Sequence, residues 1–259
     1  MKAIILAGGM GSRLSEETVA RPKPMVEIGG RPILWHILKI YSHYGINEFV
    51  ICLGYKGYVI KEYFVNYALH ACDLTVEVKS NSLKFHGAAS EDWKITLVDT
   101  GPETGTGGRL RRVLPYVEQD EMFCFTYGDG VADINISGLI EFHKAHGKLV
   151  TLTAVQPAGK YGAIYINADS SVEKFVEKPR GDGGWINGGF FVLSPKVSEH
   201  LSGSDSTMWE REPLQSLTKS NQVAAFRHTG YWQSMDTISD RNLLEGIWSS
   251  GEAPWKVWK

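Results

Sequence analysis

Three short stretches of this chain set isolated charges among small or stiff residues in ways suited to holding phosphate. Leu6-Ala7-Gly8-Gly9-Met10-Gly11-Ser12-Arg13 ends an apolar run in glycines and then an arginine. Without Cβ atoms in the way, backbone amides there can approach an anion closely, and a planar guanidinium forks well onto phosphate oxygens. Arg21-Pro22-Lys23-Pro24 places one lysine between two prolines, which hold it on an extended segment and so aim its charge. Tyr127-Gly128-Asp129-Gly130 carries a carboxylate off the end of the apolar run Phe123 to Tyr127, onto an open turn where it can reach a hard cation. Each has a plainer explanation alone: a glycine turn with a surface arginine, a solvated loop lysine, a turn aspartate. Together they describe phosphate chemistry carried by cations and carboxylates. No Ser-His-Asp set or activated thiol accompanies them, so a covalent nucleophile is not expected. Two commoner phosphate loops are excluded: GxxxxGK[ST] is absent, and GxGxxG would need glycine where Leu14 stands. A nicotinamide dehydrogenase would also need an acidic residue closing its second strand, and Leu53-Gly54-Tyr55 supplies none.

The elements that must position these residues follow from apolar period. Ala3 to Ala7, Phe49 to Leu53 and Met122 to Tyr127 are short continuous apolar runs, as in strands buried on both faces. Helical spacing appears from Pro32 through Tyr41 to a stop at Gly45, then in Tyr58 to Tyr67, Gly108 to Val117 and Ile136 to His146. Thr75 to Val78 and Trp93 to Val98 read as strands around a polar stretch, Ser80 to Asp92, of no assigned structure. Alternating strand and helix over about the first 150 residues predicts an α/β fold, a Rossmann-like, mostly parallel sheet with helices on both faces. Ligands of such sheets sit beyond the carboxyl ends of the strands, where both glycine-flanked turns fall. After residue 150 come short strands (Leu149 to Val155, Gly162 to Ile166, Val172 to Glu177, Gly189 to Leu193, Val223 to Arg227) and two helices, Glu210 to Lys219 and Thr237 to Ser250. The expectation is one domain over 1–259, with an alternating strand-and-helix half to about 150 and a smaller mixed subregion after it. Trp248 to Trp258 reads as packing or a subunit contact. His143 and His146 read as exposed at a helix end, and Asp133 as a helix cap in preference to a third acidic residue near Asp129.

Composition narrows the function classes. Hydrophobic residues are 43% of 259, enough for a core without staples, and net charge is −2 with no basic cluster, so nucleic acid is not an expected partner. Cys52, Cys72 and Cys124 are odd in number and far apart; no disulfide framework is expected. The N-terminal apolar run is short for a signal peptide and no run approaches a membrane span. A cytoplasmic protein without a membrane partner is the expectation.

LAGGMGSRL followed by RPKPM resembles the signature of the sugar-phosphate nucleotidyltransferases, the pyrophosphorylase family, and later motifs agree in order along the chain. WHILKIYSHYG, GYKGYVIKEYF, TGGRL, YGDGVAD, INGGFFVL, GYWQSMDT and APWKVW resemble the branch taking CTP and glucose 1-phosphate. The resemblance implies transfer of a cytidylyl group to the sugar phosphate, giving CDP-glucose and pyrophosphate, with Mg²⁺ as cofactor and a homo-oligomer, a hexamer among its forms. It implies that Leu6, Ala7, Gly8, Gly9 and Met10 hold the nucleotide, and that Gly11, Ser12, Arg13 and Lys23 bind its phosphates. Gly128 would lie against the nucleotide, and Thr104, Thr106 and Arg109 would contact base or ribose. Asp129 and Asp236 would hold the metal, Asp236 being otherwise read as a helix cap. Gly162, Glu177, Lys178 and Asn187 would take the sugar phosphate, with Arg13, Lys23 and Asp129 as the catalytic set. A UTP- or dTTP-dependent transferase and a silent sugar-nucleotide sensor are the alternatives.

Overall fold

In the computed structural model, which describes residues 1–87, 91–157, 159, 162–177 and 184–259, the apolar runs form one sheet. Its strands in chain order are β1 (Lys2–Leu6), β2 (Glu48–Leu53), β3 (Lys94–Asp99), β4 (Phe123–Tyr127), β5 (Val150–Val155), β6 (Ile186–Leu193) and β7 (Val223–His228). They lie in the order β7-β5-β6-β4-β1-β2-β3. All pairings are parallel except the two made by β6, so the expected mostly parallel α/β sheet is present. Alternate residues of β1 feed two cores: Ala3 and Ile5 join one cluster, Ile4 and Leu6 the other. That is why β1 reads as a continuous apolar run rather than an alternating one.

Helices cover both faces. α1 (Ile33–His43) buries Ile33, Leu34, Ile37, Leu38 and Tyr41 in the first core, the positions its period predicts. α2 (Gly57–Val65) follows β2. On the other face α3 (Thr106–Val113) buries Leu110 and Val113. α4 (Ile136–His146), α5 (Glu212–Lys219) and α6 (Ile238–Ser249) complete the helical layers. Two antiparallel hairpins stand off the sheet, Asp73–Glu77 with Ser82–His86 and Ala163–Ile166 with Val172–Val176. The first takes in residues that the sequence leaves unassigned. Among the described residues, no helix is long and apolar enough to cross a membrane.

Two sequence expectations change. His143 is 5% exposed, because Leu139 and His143 share the inner face of α4 and the ring meets Thr151 of β5 at 2.8 Å. Asp133 caps no helix: it accepts the Tyr231 amide at 2.7 Å, and Asn135 caps α4 through the Gly138 amide. The packing expected of the tryptophan-rich tail is seen at Trp255, which is fully buried and stacks near Trp248.

Trp255 Nε1 donates to His36 Nδ1 at 3.3 Å, while His36 Nε2 donates to the Ile28 carbonyl at 2.9 Å. That pattern requires neutral imidazole, and burial pushes His36 down to about 4. Burial does the same to His143, helped by His146. A depressed folded pKa gives stability that is complete above the unfolded value of about 6.5 and lost as pH falls through the folded one. Tm should therefore drop between pH 6.5 and 4, with each imidazole contributing on the order of 3 kcal/mol at full effect. His36→Gln and His143→Gln chains should be less stable at pH 7 and show a flatter slope. Parallel pH profiles of wild type and variants would refute the assignment.

Candidate active site

The strand order reverses at β1, which has β2 on one side and β4 on the other. Beyond the carboxyl ends of β1 and β4 lies a cleft of about 600 Å³, where a doubly wound sheet opens a crevice. Residues 6–13 line one wall, and the amides of Gly9, Met10 and Gly11 meet no protein acceptor among the described residues. Gly11 has φ +64°, a conformation that favours glycine, and a Cβ there would also press Thr18 and Lys23. Gly8 is small for another reason: its Cβ would fall 2.1 Å from the Arg109 guanidinium.

Lys23, Asp129 and Asp236 meet in the cleft. Lys23 Nζ lies 2.6 Å from Asp129 Oδ2 and 2.8 Å from Asp236 Oδ1, and Arg13 reaches Asp236 at 2.9 Å. Burial disfavours the Lys23 ammonium, but Asp129 and then Asp236 outweigh it and raise its pKa above the usual lysine value. Asp236 is shifted below the usual carboxylate value: burial opposes, and the bond from Lys23 prevails. Lys23 arrives on a short buried turn, Lys23–Met25, immediately after Pro22. Asp129 arrives because Gly128 lets β4 pass β1; a Cβ on Gly128 would sit 2.5 Å from the Leu6 carbonyl oxygen.

Asp236 is carried in by a pairing the sequence does not signal. Gly130–Ala132 pairs antiparallel with Trp232–Ser234, Ser234 opposite Gly130, and the Met235 amide donates to the Asp129 carbonyl at 2.8 Å. Asp236 is not the cap of α6. Thr237 is, in a capping box with Asp240, which leaves the Asp236 carboxylate to the cleft.

The ammonium between the two carboxylates tests whether a divalent metal fits. Both oxygens lie within 2.8 Å of one nitrogen, so they are close enough together to share a cation. Among the described residues no cluster of three acidic, His or Cys ligands exists. Two hard oxygen donors suit a Mg²⁺-like ion that takes its remaining ligands from water and substrate phosphates.

The second glycine-rich stretch builds the far wall. Thr104 and Thr106 line the cleft. Gly105, Gly107 and Gly108 are small because the 205–207 backbone lies on them: their amides donate to the Asp205 and Thr207 carbonyls at 2.7 to 3.1 Å. Arg111 and Arg112 clamp the same loop through Asp205. Arg109 lines the cleft from below and is 4% exposed. Its guanidinium donates to the Leu53, Gly8 and Pro102 carbonyls and the Thr100 hydroxyl at 2.7 to 3.2 Å. It is a cation spent on tying strand ends together.

Beside the cleft, a smaller cavity of about 210 Å³ shares Arg13, Tyr127, Asp129 and Asp236 with it and adds Asn187 and Trp232. Gly162 and Glu177 neighbour one another, a Gly162 Cβ falling 3.1 Å from Glu177 Oε2, but neither is among the described residues lining either cavity. Lys178 lies outside the described residues. Sequence reasoning missed Tyr127 and Glu210, which line the cleft and bond to each other at 2.6 Å.

The nucleotidyl transferase family profile matches residues 2–241. Glucose-1-phosphate cytidylyltransferase of Salmonella typhimurium (strain LT2) is 59% identical over 259 residues, covering 100% of both chains. Probable glucose-1-phosphate cytidylyltransferase of Bacillus subtilis (strain 168) is 46% identical over 260 residues, again covering 100% of both. Among solved structures, HddC from Yersinia pseudotuberculosis superposes with a TM-score of 0.69 at 25% identity, covering 95% of this chain and 99% of the other.

Proposed function

This chain belongs to the nucleotidyl transferase family, and from that premise we propose that it transfers a cytidylyl group from CTP to α-D-glucose 1-phosphate, releasing pyrophosphate. The observation that carries the chemistry is the Arg13, Lys23, Asp129 and Asp236 cluster at the strand-order reversal. The base and the sugar are supported by whole-length similarity to proteins of that name.

A phosphate oxygen of glucose 1-phosphate attacks the α-phosphorus of CTP in line. The new P–O bond forms as the bond to the β-phosphate bridging oxygen breaks, and pyrophosphate leaves with that electron pair. A phosphate monoester is largely dianionic at neutral pH, so no general base is required. The work is positioning and relief of repulsion between two anions. The 8–13 amides and Arg13 receive the triphosphate, and Lys23, held between its aspartates, turns its charge to the reacting phosphates. Asp129 and Asp236 would hold Mg²⁺, which when bound supplies charge neutralisation at the phosphate oxygens. Asn187, with Gly162, Glu177 and Lys178, is proposed for the sugar phosphate, Thr104 and Thr106 for the nucleoside, and Arg109 for setting the floor beneath it. One domain is proposed, with 1–150 supplying most nucleotide contacts and 151–259 the sugar contacts. The division is not clean, for Glu210 and Asp236 line the first cavity.

Pyrophosphate release with CTP, UTP, dTTP and ATP against glucose 1-phosphate tests this reading. CTP should give the highest kcat/KM, because a base pocket rejects wrong exocyclic groups by leaving buried polar atoms unpaired. A higher value with UTP or dTTP would transfer the reading to that base.

A further inference from the structure

Among the charged groups that line the cleft, Arg13, Lys23, Asp129 and Asp236 pair with one another and Arg109 is spent on carbonyls and a hydroxyl. Beside Thr104, Thr106 and Met208 stand two carboxylates, the exposed Glu103 and the half-buried Glu210. Glu210 has no cation within ion-pair distance among the described residues; its charge is met by two hydroxyls. Thr106 Oγ1 donates to Oε2 at 2.7 Å and Tyr127 OH to Oε1 at 2.6 Å.

The direction of both bonds is fixed. The Thr106 hydroxyl accepts from the Trp209 amide at 2.8 Å, and the Tyr127 hydroxyl accepts from Asn187 Nδ2 at 3.2 Å. Each hydroxyl has one proton, and Glu210 is the acceptor in place to receive it. Each carboxylate oxygen thus takes one donor and keeps further lone-pair capacity. Glu210 is half-buried on the cleft wall, pinned from both sides, acceptor-only and negatively charged.

We infer that Glu210 is a specificity-determining residue at the nucleoside end of the cleft, held as an acceptor for a donor group of the incoming nucleotide, either the cytosine 4-amino group or a ribose hydroxyl. The inference rests on the cleft being the nucleotide site, as proposed above. The same charge works by exclusion: it repels a triphosphate from this end, and it faces the O4 acceptor of uracil without a proton to share. The bonded series Thr106–Glu210–Tyr127–Asn187 runs from the large cavity to the small one, so the acceptor is also set in place relative to the sugar side.

The test is a set of kcat/KM ratios on the full chain with glucose 1-phosphate. Wild type, Glu210→Gln and Glu210→Asp are compared with CTP, UTP, 2′-deoxy-CTP and 3′-deoxy-CTP. Glutamine keeps the shape but can donate, so its preference should fall by about tenfold or more. The loss should appear in CTP over UTP if the amino group is the donor, or in CTP over a deoxy analogue if a hydroxyl is. Glu210→Asp, which keeps the charge but withdraws it by one methylene, should show a partial loss in the same ratio and serves if the glutamine variant does not fold. A residue that only ties the 205–210 loop to the sheet would lower stability or kcat and leave every ratio within about twofold of wild type, and that result overturns the inference. If wild type is inactive with CTP, the base reading fails on its own. The 2′- and 3′-deoxy arms, run with the triphosphate that is used, still decide the role of Glu210.

Discussion

Asp129→Asn should reduce turnover by at least about 10²-fold while leaving the fold in place. Asp129 is set by two glycines and one pairing: Gly128 lets β4 end against the Leu6 carbonyl, and Gly130 opens the short strand whose partner delivers Asp236. Nothing in that backbone depends on the charge of the side chain, which is one-third exposed. Asparagine fills the same space but offers an amide where a full negative charge faced Lys23 Nζ at 2.6 Å, and a neutral amide oxygen holds a hard divalent cation more weakly than a carboxylate does. The loss should fall on kcat more than on the KM for CTP, since charge on the reacting phosphates is greatest in the transition state. Asp236→Asn should behave alike, with a smaller loss where Arg13 still reaches the site. Pyrophosphate release across a Mg²⁺ titration is the measurement. An Asp129→Asn enzyme that keeps more than about a tenth of wild-type turnover at saturating Mg²⁺ would remove the metal role from this carboxylate.

The parts of this site that sequence shows are those whose signal is local. β1 and the 8–13 loop announce themselves because a strand buried on both faces is continuously apolar and because glycines mark close approach of backbone. α1 is legible because its buried positions repeat at helical spacing. What stays hidden depends on partners far along the chain. Gly130–Ala132 and Trp232–Ser234 are three residues each, too short for any period, and only their pairing brings Asp236 to Asp129. The glycines at 105, 107 and 108 point to close approach, but the backbone pressing on them comes from 205–207, a hundred residues on. Glu210 reads as an ordinary acid opening a helix until Thr106 and Tyr127 are seen to hold it.

Two signals were present and pointed the other way. Thr237 with Asp240 spells a capping box, which releases Asp236 from the cap. His143 follows Ile136 and Leu139 at helical spacing, which puts it on the buried face rather than in water.

Lys23→Met should give an enzyme that is both inactive and dependent on a divalent cation for its stability. The lysine is 8% exposed and its ammonium is the shared partner of two carboxylates. Methionine fills much of the stem's volume, so the change is chiefly one of charge. Removing one member of a fully buried ion pair costs about 3 to 5 kcal/mol; with both aspartates partly exposed here, about 2 kcal/mol is the appropriate scale. In a chain of this size that is a Tm lower by roughly 5 °C. The two carboxylates would then repel one another across a gap where, among the described residues, Arg13 is the remaining cation in ion-pair reach. Protonating one of them relieves that repulsion, so the deficit should shrink as pH falls toward the carboxylate range. A divalent cation relieves it at neutral pH, so Mg²⁺ should restore most of the lost Tm in the variant, with a smaller rise in wild type, where the ammonium already occupies the place between the aspartates. Turnover should remain low with Mg²⁺ present, because the charge aimed at the reacting phosphates is gone; a fall of about 10²-fold or more is expected. Thermal melts with and without Mg²⁺, alongside pyrophosphate release, separate the two effects. A variant whose Tm is lowered but indifferent to Mg²⁺ would show that Asp129 and Asp236 do not form a cation site once the lysine is removed.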